Sequence, residues 1–514
     1  MHRWSNAVGL FLRVASPSWD VAGRWVGETV SSGVDARTRQ TRFSIGRWLI
    51  ALASVFCAAG PASSQGLIPV PYADDDMVPR PDVNVWLRLI RNDKLDLILP
   101  GAMREHGIDM WIHVARAGDP DPLAYEFGIT DGYLIFTDVG DRMERAAFAG
   151  VFGGTGAVEN IDVMASPELA QAITGYEYGN VDFAVYDEIR DYVAGHDPET
   201  IGVNYSEWLA VADGISHTQY QKLERILGPE LSSRIVSAEY LITDFRSRRL
   251  SLEVAVQAML LDIARQDAMT QLANIEPGRT TIGELGGASR IYYSAVSERI
   301  REPWATGWIS HPEYVFQRGD LFAWNSMGEF LDYGFSSFGV DTKVHAYILR
   351  EGETGVPESL QRVWDYGKRA QGIIRENVRV GMTAGESLQA IIGALEQEGY
   401  IYTPFPDDPA TDYRMIQEYL GDSDSPGFYL DLHAMGNNGG DLVTLGPSIA
   451  PFRRDRDGFI MHPNHIFAFE YAVHLNIPER PGYPLTINFS NPQVLTTNGV
   501  EWIQDPNYGI YLIH

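Results

Sequence analysis

Cysteine is almost absent from this chain of 514 residues. The single cysteine, Cys57, lies in an apolar run near the N-terminus. Residues 47–65 combine basic residues, that apolar run and a small-residue end, which is typical of a secretory signal segment. If cleavage follows Ser64, the remaining chain has no cysteine, which excludes disulfides, thiolate nucleophiles and cysteine-ligated zinc. A chain without thiols suits an oxidising compartment, so we expect a secreted or periplasmic protein.

Basic residues are also few. The chain has 40 Lys and Arg residues and 68 Asp and Glu residues, so the formal net charge is -28. Such a field repels polyanions, so we expect neither nucleic acid nor an anionic membrane surface as a partner. Phosphate-binding loops, dinucleotide fingerprints and His-Glu-x-x-His helices are absent as well. The 45% hydrophobic and 21% charged residues are nevertheless ordinary for a globular protein.

The length allows two or three domains. The composition predicts three parts at the start of the chain: a doubtful leader (1–46) from an over-extended gene start, the signal segment (47–65) and a Pro-rich acidic linker (66–84). Removal of the signal would leave no membrane contact. The alternative is that the apolar run is kept as a membrane anchor.

Helical spacing alternates with short apolar runs along the chain. Residues 85–106 are predicted as one helix, with Leu89 on its apolar stripe, that stops at Gly107. Buried strands are predicted at 110–114 and 133–137. Helical patterns return over the segments 218–248 and 252–272. The fold class predicted from this alternation is α/β.

Two loop-to-helix segments, 277–281 and 380–383, have similar sequences. In each, a glycine allows a turn and a threonine can cap the following helix. Glu386 stands three residues after Thr383, which predicts a capping box.

One stretch, residues 428–470, looks like the frame of an active site. His433 ends an apolar run, a Gly/Asn-rich loop follows, and a second apolar run ends in Glu470. A second stretch, residues 318–353, reads as a double strand that carries Asn325 and Asp341.

These stretches resemble the creatinase/aminopeptidase P superfamily, the pita-bread metallopeptidases of the Xaa-Pro aminopeptidase type. Asp341 precedes AYILREGE as the family's second aspartate precedes its Tyr-Val-Leu-Arg-x-Gly-Glu segment, and Glu470 ends the Phe-x-x-Glu segment. The resemblance implies a creatinase-like N-terminal α/β domain (85–245), a pita-bread C-terminal domain (246–514), a peptide or small amide substrate, and a homodimer.

The resemblance also implies ligand positions for two metal ions, and three functional positions depart from the pattern. Asp341, His433 and Glu470 match. Asn325 replaces an aspartate, Ser490 replaces a glutamate, and Gly440 stands where the family carries a catalytic histidine.

Charge arithmetic argues against a dinuclear centre. Four carboxylates neutralise two divalent cations in the family, whereas two remain here. Two ions would therefore be poorly compensated in a buried cleft. The open alternatives are one divalent ion (Mn, Zn or Fe) on Asp341, His433, Glu470 and the amide of Asn325, or no metal, as in the creatinases.

Four residues are candidates for acid-base work. His433 belongs to the frame, while His345 and His474 lie on the same strand faces as Asp341 and Glu470 but about 13 Å further along, too far to share an ion. Asp441 could orient His433, or be a turn residue. His462 and His465 flank a turn and are expected at the surface.

Two functions follow. The first is a secreted hydrolase that cleaves a peptide or amide C–N bond with an altered site that is at most mononuclear. The second is a catalytically inactive pseudopeptidase that binds or scaffolds, favoured because the departures at Asn325, Gly440 and Ser490 coincide.

Overall fold

The computed structural model describes residues 83–116, 121, 123, 127–129, 131–151, 158–175, 182–209, 212–285, 288–294, 312–328, 340–404, 412–435, 446–453, 456–504 and 509–514. For residues 83–84, 288–289, 326–328, 340–342 and 412–414 the description is limited to the backbone. The predicted leader, signal segment and most of the linker lie outside these residues. No helix of the described part is long and apolar enough to cross a membrane.

The N-terminal helix predicted for residues 85–106 is two helices, α1 (Val83–Leu97) and α2 (Leu99–Glu105). Pro100 stands in the first turn of α2, where its missing N–H is tolerated, but it cannot continue α1. The chain leaves α2 through Gly107 at φ 63°, as predicted. Leu89, expected on the buried stripe, is exposed.

A six-stranded sheet follows in the order β4-β3-β2-β1-β5-β6. Its strands are β1 (Met110–Ala115), β2 (Gly132–Asp138), β3 (Met143–Ala149), β4 (Val163–Met164), β5 (Ile201–Val203) and β6 (Ile235–Ser237). Four helices accompany it: α3 (Pro167–Gly175), α4 (Asp187–His196), α5 (His217–Ser232) and α6 (Glu239–Ser247). Alternate residues of β1 enter two different cores, because successive side chains of a strand point to opposite faces.

The helical pattern predicted over 218–248 is thus interrupted by β6. Gly228 at φ 74° and Pro229 kink α5, and the chain then forms a short strand before α6. The segment predicted at 252–272 is helix α7 (Ser251–Ala273), with Val256, Leu260 and Leu272 buried.

The remaining strands form three sheets in the described part of the chain, with orders β17-β9-β8-β7, β10-β11-β13-β14 and β12-β15-β16. The first contains β7 (Ala288–Tyr293), β8 (Leu321–Gly328), β9 (Val340–Ile348) and β17 (Tyr511–Ile513). The second contains β10 (Ile401–Tyr402), β11 (Gly427–Asp431), β13 (Glu470–Leu475) and β14 (Leu485–Phe489). The third contains β12 (Ile466–Phe467), β15 (Gln493–Thr496) and β16 (Gly499–Trp502). Helices α8 (Glu358–Glu376), α9 (Ala384–Gln397) and α10 (Asp412–Leu420) complete this part.

The two predicted loop-to-helix segments have the same hydrogen-bond pattern. Thr281 bridges to Val315, and Thr383 bridges to Ile460. Each threonine hydroxyl accepts from the backbone of a glutamate three residues on, whose carboxylate accepts in return from the threonine N–H. The predicted capping box at Thr383 and the α/β fold class are confirmed, while the domain boundary at residue 245 stays a prediction.

Candidate active site

Two neighbouring strands bring an acidic pair and a histidine together. Asp431 at the end of β11 pairs directly with Glu470 at the start of β13, so both side chains point to one face of the sheet. His433 follows two residues later, and its Nε2 lies 3.4 Å from Glu470 Oε2. One ligand atom from each of these three residues lies within 4.8 Å of the others.

The backbone turns sharply just before Glu470. Phe469 has φ 48°, in the left-handed region that non-glycine residues seldom occupy. Its side chain is fully buried. Strand β12 ends at Phe467 in one sheet, and β13 begins at Glu470 in another. The turn at Phe469 therefore lies where the chain passes from one sheet to the other.

A lysine from the other sheet reaches the same glutamate. Lys343 on β9 pairs with Asn325 on β8, so their side chains share a face. The Lys343 side chain is 1% exposed, and its Nζ donates to Glu470 Oε1 at 3.1 Å. Both oxygens of Glu470 therefore have a cationic or imidazole neighbour.

Asp431 has a cation of its own. Arg453 Nε donates to Asp431 Oδ1 at 3.2 Å. Burial raises the pKa of Asp431, although the nearby His433 and Arg453 act in the opposite direction. Asp431 is thus the more basic of the two carboxylates.

Glu470 and His433 shift each other toward their charged forms. Burial opposes ionisation of Glu470, but Lys343 and His433 outweigh it and hold the pKa of its carboxyl well below its usual range. Burial also opposes a charge on His433, yet Glu470 and Asp431 place the pKa of His433 above its ordinary value. His433 Nδ1 donates to the carbonyl of Ala434 at 3.2 Å, so both ring nitrogens have an acceptor, as an imidazolium requires.

The spacing of Asp431, His433 and Glu470 would suit one divalent ion. The cationic side chains that contact the two carboxylates oppose the binding of such an ion. An ion bound to Glu470 would lie roughly 4 Å from the Lys343 ammonium, where a divalent and a monovalent cation repel by about 8 kcal/mol at an effective dielectric constant of 20. Arg453 occupies an oxygen of Asp431 as well. The donor set, with Lys343 in place, does not fit a metal ion.

Five other positions of the predicted metal and catalytic site differ in how far the structure describes them. Asn325 is buried, and its Oδ1 has no hydrogen-bond partner among the residues that the structure describes. Ser490 is buried, and its hydroxyl donates to the carbonyl of Ala468, two residues before Glu470. Asp341 lies on β9 opposite Met327, with only its backbone described, and Gly440 and Asp441 lie outside the described residues.

His345 and His474 do not join this group of side chains. His345 is buried against Tyr292 and Trp364, its Nε2 donates to the carbonyl of Asn488, and burial lowers its pKa to about 3. His474 pairs with Gly427 at the far end of β13 from Glu470. Its ring contacts the hydroxyls of Thr403 and Thr486, and burial lowers its pKa to about 3.

The expectation that His462 and His465 are at the surface is wrong for His465. The backbone N–H of His462 donates to Nδ1 of His465, and the His465 ring is buried. Burial lowers the pKa of His465 to about 3. His462 is partly exposed and contacts Glu105.

The sequence reasoning missed Lys343, Asp431 and Arg453. The alternation of a strand contains a signal for two of them, since Lys343 stands two residues after Asp341, and Asp431 two residues before His433. Residues at this spacing share a face. Arg453 has no such signal, because its contact depends on a loop.

No family model matches the chain, and no curated protein matches it either. The chain is similar to Xaa-Pro peptidases of known structure. An X-Pro aminopeptidase from Thermotoga maritima MSB8 shares 15% identity at a TM-score of 0.48, over 80% of this chain and 100% of that one. An Xaa-Pro dipeptidase from Bacillus anthracis shares 15% identity at a TM-score of 0.45, over 84% and 100%. The prolidase from Pyrococcus horikoshii OT3 shares 14% at a TM-score of 0.44, over 82% and 100%.

Proposed function

We propose that this chain is a hydrolase that cleaves a peptide or amide C–N bond by acid-base chemistry at His433, Asp431 and Glu470, without a metal ion. The observation that carries the proposal is the contact of Glu470 with both Lys343 and His433. The lysine stabilises the ionised carboxylate of Glu470, and that carboxylate raises the pKa of the His433 imidazole.

The three side chains divide the acid and base roles, because their environments push their pKa values in different directions. Asp431, with its raised pKa, accepts the proton of an attacking water as the oxygen bonds to the substrate carbon. His433 donates a proton to the leaving nitrogen as the C–N bond breaks. Glu470 stays ionised and positions His433, so one water is consumed and an acid and an amine result.

The test is turnover by purified protein on a panel of Xaa-Pro peptides, small amides, amidines and guanidines. We expect hydrolysis that persists in a chelator and falls by about 100-fold to 10,000-fold in His433→Ala, the range that a general acid contributes. His462→Ala, a partly exposed histidine that contacts Glu105, is the control and keeps its rate.

The same assay has a predicted pH profile. The rate falls as the pH rises through the pKa of His433, because the general acid loses its proton. It also falls as the pH drops through the pKa of Asp431, because the base gains one. Turnover that needs added Mn²⁺ or Zn²⁺, or that is unchanged in His433→Ala, contradicts the proposal.

A second candidate is the inactive pseudopeptidase that binds or scaffolds. It is favoured by the pairing of each carboxylate with its own cation, Glu470 with Lys343 and Asp431 with Arg453, which is also how buried charges are stabilised without any catalytic task. An absence of turnover on the whole panel, together with a folded His433→Ala variant, would support it. Secretion and a homodimer remain predictions from the sequence.

A further inference from the structure

The lysine beside Glu470 stands where a metal ion would need to be. Lys343 Nζ is 3.1 Å from Glu470 Oε1, and the lysine side chain is 1% exposed. Glu470 Oε2 faces His433 Nε2 at 3.4 Å. An ion shared by these two side chains would have to bind beside a fixed ammonium in a site nearly closed to water.

The donors themselves are those that transition metals prefer. Two carboxylates and one imidazole, with ligand atoms within 4.8 Å of one another, match a three-ligand site that leaves a position for water. The obstacle is therefore the charge beside these ligands, chiefly that of Lys343 at Glu470 and to a lesser extent that of Arg453 at Asp431, and not the chemistry of Asp431, His433 and Glu470.

We propose that the Lys343 ammonium is a built-in substitute for a metal ion, and that its removal converts Asp431, His433 and Glu470 into a binding site for one divalent cation. The lysine supplies the positive charge that lets Glu470 remain ionised while buried. The inference concerns ion binding alone, so it holds whether or not the chain turns over a substrate.

The test compares Zn²⁺ and Mn²⁺ binding to the full chain and to two variants, by isothermal titration and by elemental analysis after dialysis. Lys343→Ala removes the charge and opens space, and Lys343→Met removes the charge but keeps most of the packing. We expect no tight ion on the unmodified chain and about one ion per chain on the variants, with affinity raised by on the order of 100-fold or more. Circular dichroism confirms that each protein is folded, and Lys343→Met decides the matter if Lys343→Ala does not fold.

Two controls locate the ion. Lys94→Ala removes another buried lysine paired with a buried glutamate, Glu253 at 3.7 Å, and should gain no ion. Lys343→Met combined with His433→Ala should lose the ion that Lys343→Met gained. A tight ion on the unmodified chain, or folded lysine variants that bind no ion, would overturn the inference.

Because the readout is ion binding, its failure is distinguishable from failure of the proposed hydrolase. An inactive chain whose lysine variants bind zinc would support the inference and contradict the hydrolase. An active, chelator-resistant chain whose variants bind no ion would do the reverse.

Discussion

Asp320 is a carboxyl group buried just before β8. Its Oδ2 accepts from the Tyr314 hydroxyl and from the Gln317 backbone, both at 2.8 Å. Burial raises its pKa to about 6. The protonated form is thus favoured in the folded state well above the pH at which an exposed aspartate ionises.

This pKa predicts a pH-dependent stability. The folded chain binds more protons than the unfolded chain between pH 3.8 and about 6, so Asp320 makes the free energy of unfolding fall as the pH rises through that window. Asp320→Asn keeps the accepting oxygen and removes the charge. We expect it to stabilise the protein by up to about 3 kcal/mol at pH 7 and to be neutral near pH 3.

The measurement is urea unfolding of both proteins from about pH 3 to about pH 7, which includes both ends of the titration of Asp320. Asp422→Asn, at an exposed aspartate, is the control and should change little. A variant that is less stable than the unmodified chain at pH 7 would show that the Asp320 carboxylate is stabilised after all.

The sequence predicted two of the five residues of the candidate site. His433 and Glu470 were expected together, and they are in contact. The strand alternation around Lys343 and Asp431 was readable and was overlooked. The contact of Lys343 with Glu470 was not readable, because the two residues are 127 positions apart and only the folded chain brings them together.

At the scale of elements, the packing of helix α8 against a strand requires a glycine at the point of contact. A Cβ atom on Gly367 would lie 2.0 Å from the ring of Phe489 on β14. Phe489 cannot move aside, because it stacks on Tyr471 at 5.0 Å and contacts Trp364 at 5.1 Å. The close approach of α8 to the second sheet therefore requires glycine.

Two alanine substitutions in α8 should have opposite effects. Gly367→Ala overpacks the interface and should destabilise the protein by about 1–3 kcal/mol, despite alanine's better helix propensity. Gly372→Ala, in the same helix with no atom within 4 Å of the added Cβ, should stabilise it by up to about 1 kcal/mol. Denaturant unfolding measures both. Equal effects at the two positions would mean that α8 and β14 are further apart than described.

Elements with strong local signals were predictable from the sequence. The apolar runs of β1 and β2 and the capping box of α9 appear where local chemistry predicts them. The division of the first helix before Pro100 was readable but overlooked. The left-handed turn at Phe469 was not predictable, because it follows from tertiary packing and occurs at a residue type that rarely adopts it.

At the scale of the whole molecule, the net charge of -28 determines how salt changes the stability. Like charges repel across the compact state, and salt screens exposed charges far more than buried pairs such as Lys343–Glu470. We expect the melting temperature to rise by a few degrees as NaCl increases from about 10 mM to about 150 mM, where the screening length falls from about 30 Å to about 8 Å. A melting temperature that falls with salt would show that attractive surface pairs outweigh the repulsion.

The matching hydrogen bonds at Thr281 and Thr383 have a consequence in evolutionary terms. A duplicated ancestor would leave such a pattern in two halves of a chain. Lys343 comes from the half that follows Thr281, and Glu470 from the half that follows Thr383. Each half thus contributes one charged side chain of a buried pair. After such a duplication, the loss of either charge alone would leave the charged side chain of the other half buried without its partner.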